Sequence, residues 1–353
     1  MASKKRNIII TADDYGCCDY IDRGIIKGIG KGVISCVSTF VNFEAREKGE
    51  RGGAYCGSVE AIKKLLQLFP RIPIGLHLTI NAGTSIKPKD EVIDLLRPNK
   101  INKKHYFKSF QKFDPNLYFQ KKVIKQIKSE IEGQIDFYKK EFNAKNLNHL
   151  SCHYGILFHF EKILNEVITI PDFKTVPIRN PVLSFQTPII KKEPSKKELK
   201  AMHQFFRSKS KMRLEGLGNV IRWSDTVEKF VKIALQGGSV KRRLAVLQNN
   251  KTRFPEFTLD YLYQRQKDFK NMAVPIAELI KERPEYYLQP STHSPIYELI
   301  AHVGSGRLPE TGPVGVNKSY FLSRALELKR LIDSEQILKS SSLKLVDYRA
   351  VSK

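Results

Sequence analysis

The feature that most constrains this chain is an alternation between short apolar runs of strand character and longer segments with apolar residues at helical spacing. Asn7–Ala12 (NIIITA) is a run of the kind buried on both faces of a sheet, and Asp13-Asp14-Tyr15-Gly16 ends it. Tyr20–Lys31 then carries Ile21, Ile25 and Ile29 on one helical face until Gly32 stops it. Ser35–Asn42 is β-branched and apolar, a second strand, and Ser58–Leu68 is a second helix that ends before Pro70. Ile72–Ile80 is a third strand, and Leu117–Glu141 is a long helix with Val123, Ile127, Ile131 and Ile135 on one face. Leu147–Cys152 is a fourth strand and Lys174–Ile178 a weaker fifth. Strands that alternate with helices in this way build a parallel sheet, either open or closed into a barrel.

Beyond residue 180 the rhythm changes. Thr187–Glu215 contains the basic stretches KKEPSKKELK and RSKSKMR, and Leu244–Arg283 is mostly helical in pattern. Tyr297–His302 returns to strand character, Ser319–Ser334 is a final helix, and Ser341–Tyr348 alternates as a last strand. The expected organisation is one domain over residues 1–353, with residues 183–292 as a basic, mostly helical elaboration within it.

Composition narrows the class of protein. With 353 residues and 41% hydrophobic content the chain can bury a large core, which excludes global disorder. The apolar run Ile8–Ile10 is too short for a signal-peptide core, and no stretch approaches the roughly 18 apolar residues of a membrane-spanning helix. The five cysteines form no C-x-x-C pair, which argues against a disulfide framework or a thiolate zinc site and points to a reducing, cytoplasmic setting. A net charge of +25 attracts polyanions: nucleic acid, acidic glycans, or an anionic membrane surface touched peripherally. No RNA-recognition motif, zinc finger or helix-turn-helix accompanies the charge, so nucleic acid is not the expected partner. A solvated lysine-rich surface is the blander reading of the same charge. A homodimer is compatible with the sequence but not specified by it.

The chemistry-bearing residues gather at strand ends. Asp13 and Asp14, His77, His153 and His302 each fall in or just beyond the C-terminal part of a predicted strand, the edge where functional side chains converge in parallel α/β architectures. Taken singly each has a plainer explanation: an Asp-Asp turn, a core histidine flanked by Leu76 and Leu78, a strand-end packing residue before Val303-Gly304. His149 and His159 flank His153, so the residues alone do not say which of the three is a ligand. Taken together, two carboxylates and several imidazoles on one rim suit a divalent metal, with groups left over for proton transfer. Metal-dependent phosphoester hydrolysis, or glycan binding without catalysis, is a competing use of such a rim.

The stretches Thr11-Ala-Asp-Asp-Tyr-Gly16, Gly75-Leu-His-Leu-Thr79, His149-Leu-Ser-Cys-His153 and Glu298-Leu-Ile-Ala-His-Val-Gly304 resemble the YdjC-like carbohydrate deacetylases. Glu130-Ile-Glu-Gly-Gln134, Val176-Pro-Ile-Arg179, Ser323-Arg324 and Leu345-Val-Asp-Tyr348 extend the resemblance from residue 7 to about residue 349. It implies a distorted (β/α) TIM-like barrel that removes the N-acetyl group of an amino sugar. It also implies one divalent ion held by Asp14, His77 and His153, with magnesium or zinc ahead of manganese and cobalt. Asp13 would be the base and His302 the acid, with Arg179 and Tyr15 contacting the substrate or, for Arg179, orienting Asp13. Two positions depart from the family pattern: Ser151 stands where Asp is usual and Gly155 where a second His is usual. These departures predict loss of an outer contact to the metal ligands or to the substrate. The basic elaboration predicts a sugar substrate that carries or adjoins negative charge.

Overall fold

The structure is a computed structural model that describes residues 6–46, 55–98, 105–108, 115–143, 147–180, 240–255, 257–259, 296–306, 318–339 and 343–351. Its strands are β1 (Arg6–Tyr15), β2 (Cys36–Thr39), β3 (Ile74–Leu78), β4 (Leu96–Pro98), β5 (His105–Phe107), β6 (Leu147–Cys152), β7 (Phe257–Leu259), β8 (Ile296–Ala301) and β9 (Leu343–Val346). The longer helices are α1 (Asp19–Gly30), α2 (Ser58–Leu68), α3 (Lys121–Phe142), α4 (Val240–Asn249) and α5 (Lys318–Asp333). Among the described residues no helix is long and apolar enough to cross a membrane.

Seven strands form one sheet in the order β6-β3-β2-β1-β8-β7, with β9 also paired to β1, and every pairing in it is parallel. The central strand β1 serves three neighbours. Residues 7–12 pair with β8 along one edge, while the other edge is divided between β9 at residues 6–9 and β2 at residues 11–15. Both faces of β1 are covered as well, since Ile8 and Ile10 join the main core while Ile9 packs with Cys36, Ile296 and Tyr348, which explains why the three isoleucines follow one another without alternation and are all buried. The sequence pattern places β1, β3, β6 and β8 within two or three residues of their observed ends.

The sheet is strongly curled. Ile178 bridges to Leu150 on the outer side of β6, and the next residue, Arg179, donates to Glu298 on β8. Five strand spacings separate these positions along the sheet, roughly 24 Å if it were flat. That is far beyond the reach of a side chain, so the two ends must turn toward each other. The described strands therefore give a curled parallel sheet where the resemblance implied a distorted (β/α) TIM-like barrel. Lys174–Ile178, expected as a fifth strand, is instead a helical turn over Asp172–Thr175 followed by the single bridge at Ile178.

Helix α3 shows how the flanking layer braces the sheet. Val123, Ile127, Ile131 and Ile135 are buried at the predicted spacing. Beside them runs a second buried row, Gln126, Glu130 and Gln134, also four residues apart. Gln134 exchanges hydrogen bonds with the backbone N–H and C=O of Thr79, at 3.1 and 2.6 Å. Glu130 accepts from the N–H groups of Ile86 and Lys87, and Gln126 accepts from that of Asp94. These side chains satisfy backbone groups at Thr79, Ile86, Lys87 and Asp94 in the long connection after β3, outside its short bridge at Thr84 and the β4–β5 pair.

Of the segment 183–292, the described parts are 240–255 and 257–259; the basic stretches Lys191–Lys200 and Arg207–Arg213 lie outside the described residues. Helix α4 agrees with the helical expectation, whereas β7 is a strand within a stretch read as helical. Arg243 is buried and Arg242 pairs with Glu161 at 3.0 Å, so this part of the basic segment is turned to the protein itself.

Candidate metal and catalytic site

Two adjacent residues on a regular strand point to opposite faces, yet Asp13 and Asp14 both reach the same site. The register between β1 and β2 shifts between Ala12 and Tyr15, and Asp14 has a φ of 70°, in the left-handed region that Asp tolerates better than most side chains. This irregularity turns the Asp14 carboxylate toward the rim. The following turn is locked by Asp22 on α1, whose Oδ1 accepts from the N–H of Gly16 at 2.8 Å while Oδ2 accepts from the Tyr55 hydroxyl.

Asp14 Oδ1 lies 3.4 Å from His77 Nε2 on β3 and 3.1 Å from His153 Nδ1, just past the end of β6. These three ligand atoms are all within 4.8 Å of one another, the one such group found among the described residues. His149, an alternative from sequence, is buried and engaged with Ser38 instead. The side chain of His159 lies outside the described residues. Asp14 Oδ1 and His77 Nε2 are fully buried and lack a hydrogen-bond partner, which is costly unless something occupies the space between them. One carboxylate and two imidazoles with their lone pairs converging fit a divalent ion, with open positions for water and substrate. The ring of Phe40 packs on both imidazoles, with centroids 5.0 Å from His77 and 5.2 Å from His153, and walls the site on that side.

The second carboxylate is held differently. Arg179 donates through Nη1 and Nη2 to the two oxygens of Asp13, at 2.6 and 2.8 Å, and through Nε to Glu298 at 3.0 Å. Glu298 in turn accepts from the hydroxyls of Thr11 and Thr258, at 2.8 and 3.0 Å, so the ion network ties β1, β7 and β8 together. Burial alone would raise the Asp13 carboxyl, but the Arg179 guanidinium outweighs it and holds Asp13 well below the ordinary carboxylate range. Asp14 shows the same balance: burial opposes its charge, and the guanidinium of Arg324 keeps it ionised. Arg324, on α5, is wholly buried and donates to Asp14 Oδ2.

His302 follows the last residue of β8. Ala301 is paired with Ala12, so His302 and Asp13 are the next residues beyond the β8–β1 pairing. Its backbone N–H is fixed by Glu327 Oε1 of α5 at 2.6 Å.

The structure thus gathers Asp13, Asp14, His77, His153 and His302 at one end of the sheet, as the strand-end argument expected. Tyr15 is a correction. It is buried in the core and donates to the carbonyl of Ala61 on α2, because the chain resumes strand alternation one residue past the irregularity and turns it inward. Arg179 is buried as well, and its guanidinium is occupied by Asp13 and Glu298. Ser151 corrects a further expectation, since its hydroxyl lies 2.7 Å from His77 Nδ1 and so keeps an outer contact to a candidate metal ligand. Sequence reasoning assigned no role to Arg324, Glu298, Glu327 or Phe40.

The model of the YdjC-like protein family matches residues 7–336. Similar curated proteins include a carbohydrate deacetylase of Thermoanaerobacter pseudethanolicus, 25% identical over 199 residues that cover 56% of this chain and 67% of that protein. One from Enterococcus faecalis is 23% identical over 189 residues, 53% of this chain and 62% of that protein. One from Mus musculus is 25% identical over 154 residues, 43% of each chain. The matched stretches therefore span from under half to about two thirds of these relatives' own lengths. Among solved structures, an Enterococcus faecalis protein provisionally named for cellobiose-phosphate cleavage superposes with a TM-score of 0.62 at 16% identity, covering 98% of this chain and 99% of that one. At that identity the likeness speaks for the fold alone.

Proposed function

The chain belongs to the YdjC-like family, and from that membership and the geometry of its site we propose that it is a metal-dependent carbohydrate deacetylase hydrolysing the N-acetyl amide of an amino sugar. The observation that carries the reading is the pair of buried, unpartnered ligand atoms on Asp14 and His77 facing His153. A divalent ion bound there, magnesium or zinc first among the candidates, would polarise the amide carbonyl and lower the pKa of water. Asp14, His77 and His153 hold that ion.

Asp13 takes the proton of the attacking water. Its bidentate pairing with Arg179 fixes the carboxylate plane and leaves a lone pair on each oxygen for this task. The same pairing weakens Asp13 as a base, so its proton is held only briefly and passes to His302 in place of the one that residue gives up. His302, at the end of the neighbouring strand, delivers a proton to the departing amine nitrogen. Acetate and the free amine leave. The net charge of +25 supports a sugar that carries or adjoins negative charge, which would show as a Michaelis constant rising with salt.

The test is metal analysis of the purified chain together with an acetate-release screen over N-acetylated sugars. Stoichiometric metal with acetate release supports the reading. Metal-replete protein that releases no acetate from any of them, or activity indifferent to chelation, would overturn it.

A further inference from the structure

We propose that Ser38 and His149 are positioning residues which, through Ser151, fix His77 in the tautomer that turns a bare Nε2 toward Asp14 and His153. The inference rests on the reading above in taking His77 Nε2 as a metal ligand, but the hydrogen-bond argument stands on this chain alone.

The contact between His77 Nδ1 and Ser151 Oγ, at 2.7 Å, does not by itself decide the tautomer, because a hydroxyl both donates and accepts. The next bond decides it. Ser151 donates its one proton to Ser38 Oγ at 3.0 Å, so it can only accept from His77, and Nδ1 must carry the hydrogen. Ser38, having accepted, directs its own proton to His149 Nε2 at 2.8 Å. His149 then offers a lone pair at Nε2 and keeps its hydrogen on Nδ1, where Asn148 Oδ1 lies at 3.3 Å. The donors run one way, from His77 to Ser151 to Ser38 to His149, and the direction is set at the far end by Asn148, whose amide nitrogen donates to Asp347 and whose Oδ1 therefore faces His149 Nδ1 as an acceptor.

That far end is built to stay as it is. The His149 ring is wholly buried and stacked on Tyr348, centroids 4.1 Å apart at an interplanar angle of 10°. Gly75 on β3 makes room for it, since a Cβ there would sit 2.3 Å from His149 Cε1. Burial, reinforced by the nearby charge of Arg179, keeps the ring neutral. Ser38, His77, His149 and Ser151 are all buried, so solvent has no part in reversing the chain of donors. The arrangement also accounts for the departure at residue 151. A carboxylate there accepts from Nδ1 without help, whereas a serine accepts reliably only when its own proton is held elsewhere.

Long-range proton–nitrogen correlation spectra of the full-length, metal-free chain labelled at histidine read the tautomers directly. The expected result is a hydrogen on Nδ1 of both His77 and His149, and a bare Nδ1 on either ring would overturn the proposal without any variant being made. In Ser38→Ala the Ser151 proton loses its acceptor and turns to His77, so His77 should become a mixture of tautomers. Zinc affinity, measured by competition with a chelator, should then fall roughly 10–100-fold, the usual effect of removing an outer partner of a metal-bound histidine. Adding Ser151→Asp to Ser38→Ala should restore both the tautomer and the affinity. An unchanged His77 tautomer with zinc affinity within about twofold of wild type in Ser38→Ala would overturn the proposal. Acetate release takes no part in these readouts, so a chain that shows the expected tautomers but deacetylates nothing would sink the functional reading and leave this one standing.

Discussion

Arg324 donates to Asp14 Oδ2 from a fully buried position, and so leaves Oδ1 of the same carboxylate facing His77 and His153. One carboxylate is divided between a guanidinium on α5 and the ligand cluster. Removing the guanidinium strands a buried negative charge, which typically costs about 3–5 kcal/mol. Arg324→Met should therefore melt well below wild type in chelator, and added divalent metal should recover more stability in the variant than in wild type, since the ion supplies the missing positive charge. Thermal unfolding of both proteins with and without metal checks this. Equal metal-induced shifts would mean that Asp14 does not share its charge in this way.

The two aspartates should separate cleanly in metal content. Asp14→Ala, His77→Ala and His153→Ala each delete one of three protein ligands and should lose bound metal. Asp13→Asn should retain it, because Asp13 is held by Arg179 and stands outside the three-residue ligand group. Its turnover should nonetheless fall by roughly 10²–10⁴-fold, the range for loss of a general base. Metal analysis beside steady-state rates decides the matter, and comparable metal loss in Asp13→Asn and Asp14→Ala would refute the division of labour.

His302→Ala should keep its metal and lose turnover by roughly 10²–10⁴-fold. The loss should be smallest on substrates whose amine leaves easily, since a good leaving group has little need of a proton donor. A uniform loss across leaving groups would assign His302 to positioning instead.

What was legible in the sequence follows from range. β1, β3, β6 and α2 were read nearly to their ends because burial writes its period into adjacent residues, and α3 was legible for the same reason. Short elements were not: β7 has three residues and lies in a stretch of helical composition, and the antiparallel pair of β4 and β5 is as short. In the site, strand-end position revealed the five acidic and histidine residues. It could not reveal Arg324, which meets Asp14 across 310 residues of sequence and sits on a helix whose pattern shows only an unremarkable charge. Nor could it reveal the β1 irregularity. Alternation alone would send Asp13 and Asp14 to opposite faces, and it is the positive φ of Asp14 that brings both to one rim and turns Tyr15 into the core.

That last point has a direct check. Tyr15→Phe removes a buried hydroxyl and its bond to the Ala61 carbonyl, and should cost about 1 kcal/mol of stability. The Michaelis constant for the sugar should not move. A Michaelis constant raised severalfold with unaltered stability would return Tyr15 to the substrate.

Glu130 gives the chain a pH dependence of unusual sign. Burial pushes its carboxyl up to about 7, against the opposing pull of the Ile86 N–H, the Gln134 amide and the Lys87 N–H that donate to it. In the unfolded chain the same group titrates near the ordinary glutamate value of about 4.3. Between these two values the folded state holds a proton that the unfolded state has released, so this group's contribution to stability is present in acid and is lost as the pH rises through 7. The full difference is on the order of 4 kcal/mol, at 1.36 kcal/mol for each unit of displacement. His149, buried and neutral, acts in the opposite sense, losing stability as the pH falls below about 6.5. It is common to wild type and Glu130→Gln, so the difference between the two proteins isolates Glu130. Denaturant unfolding at pH 5 and pH 8 should show wild type losing ground to Glu130→Gln on going to the higher pH. A difference that stays constant over that range would mean Glu130 titrates normally, and that its three donors outweigh its burial.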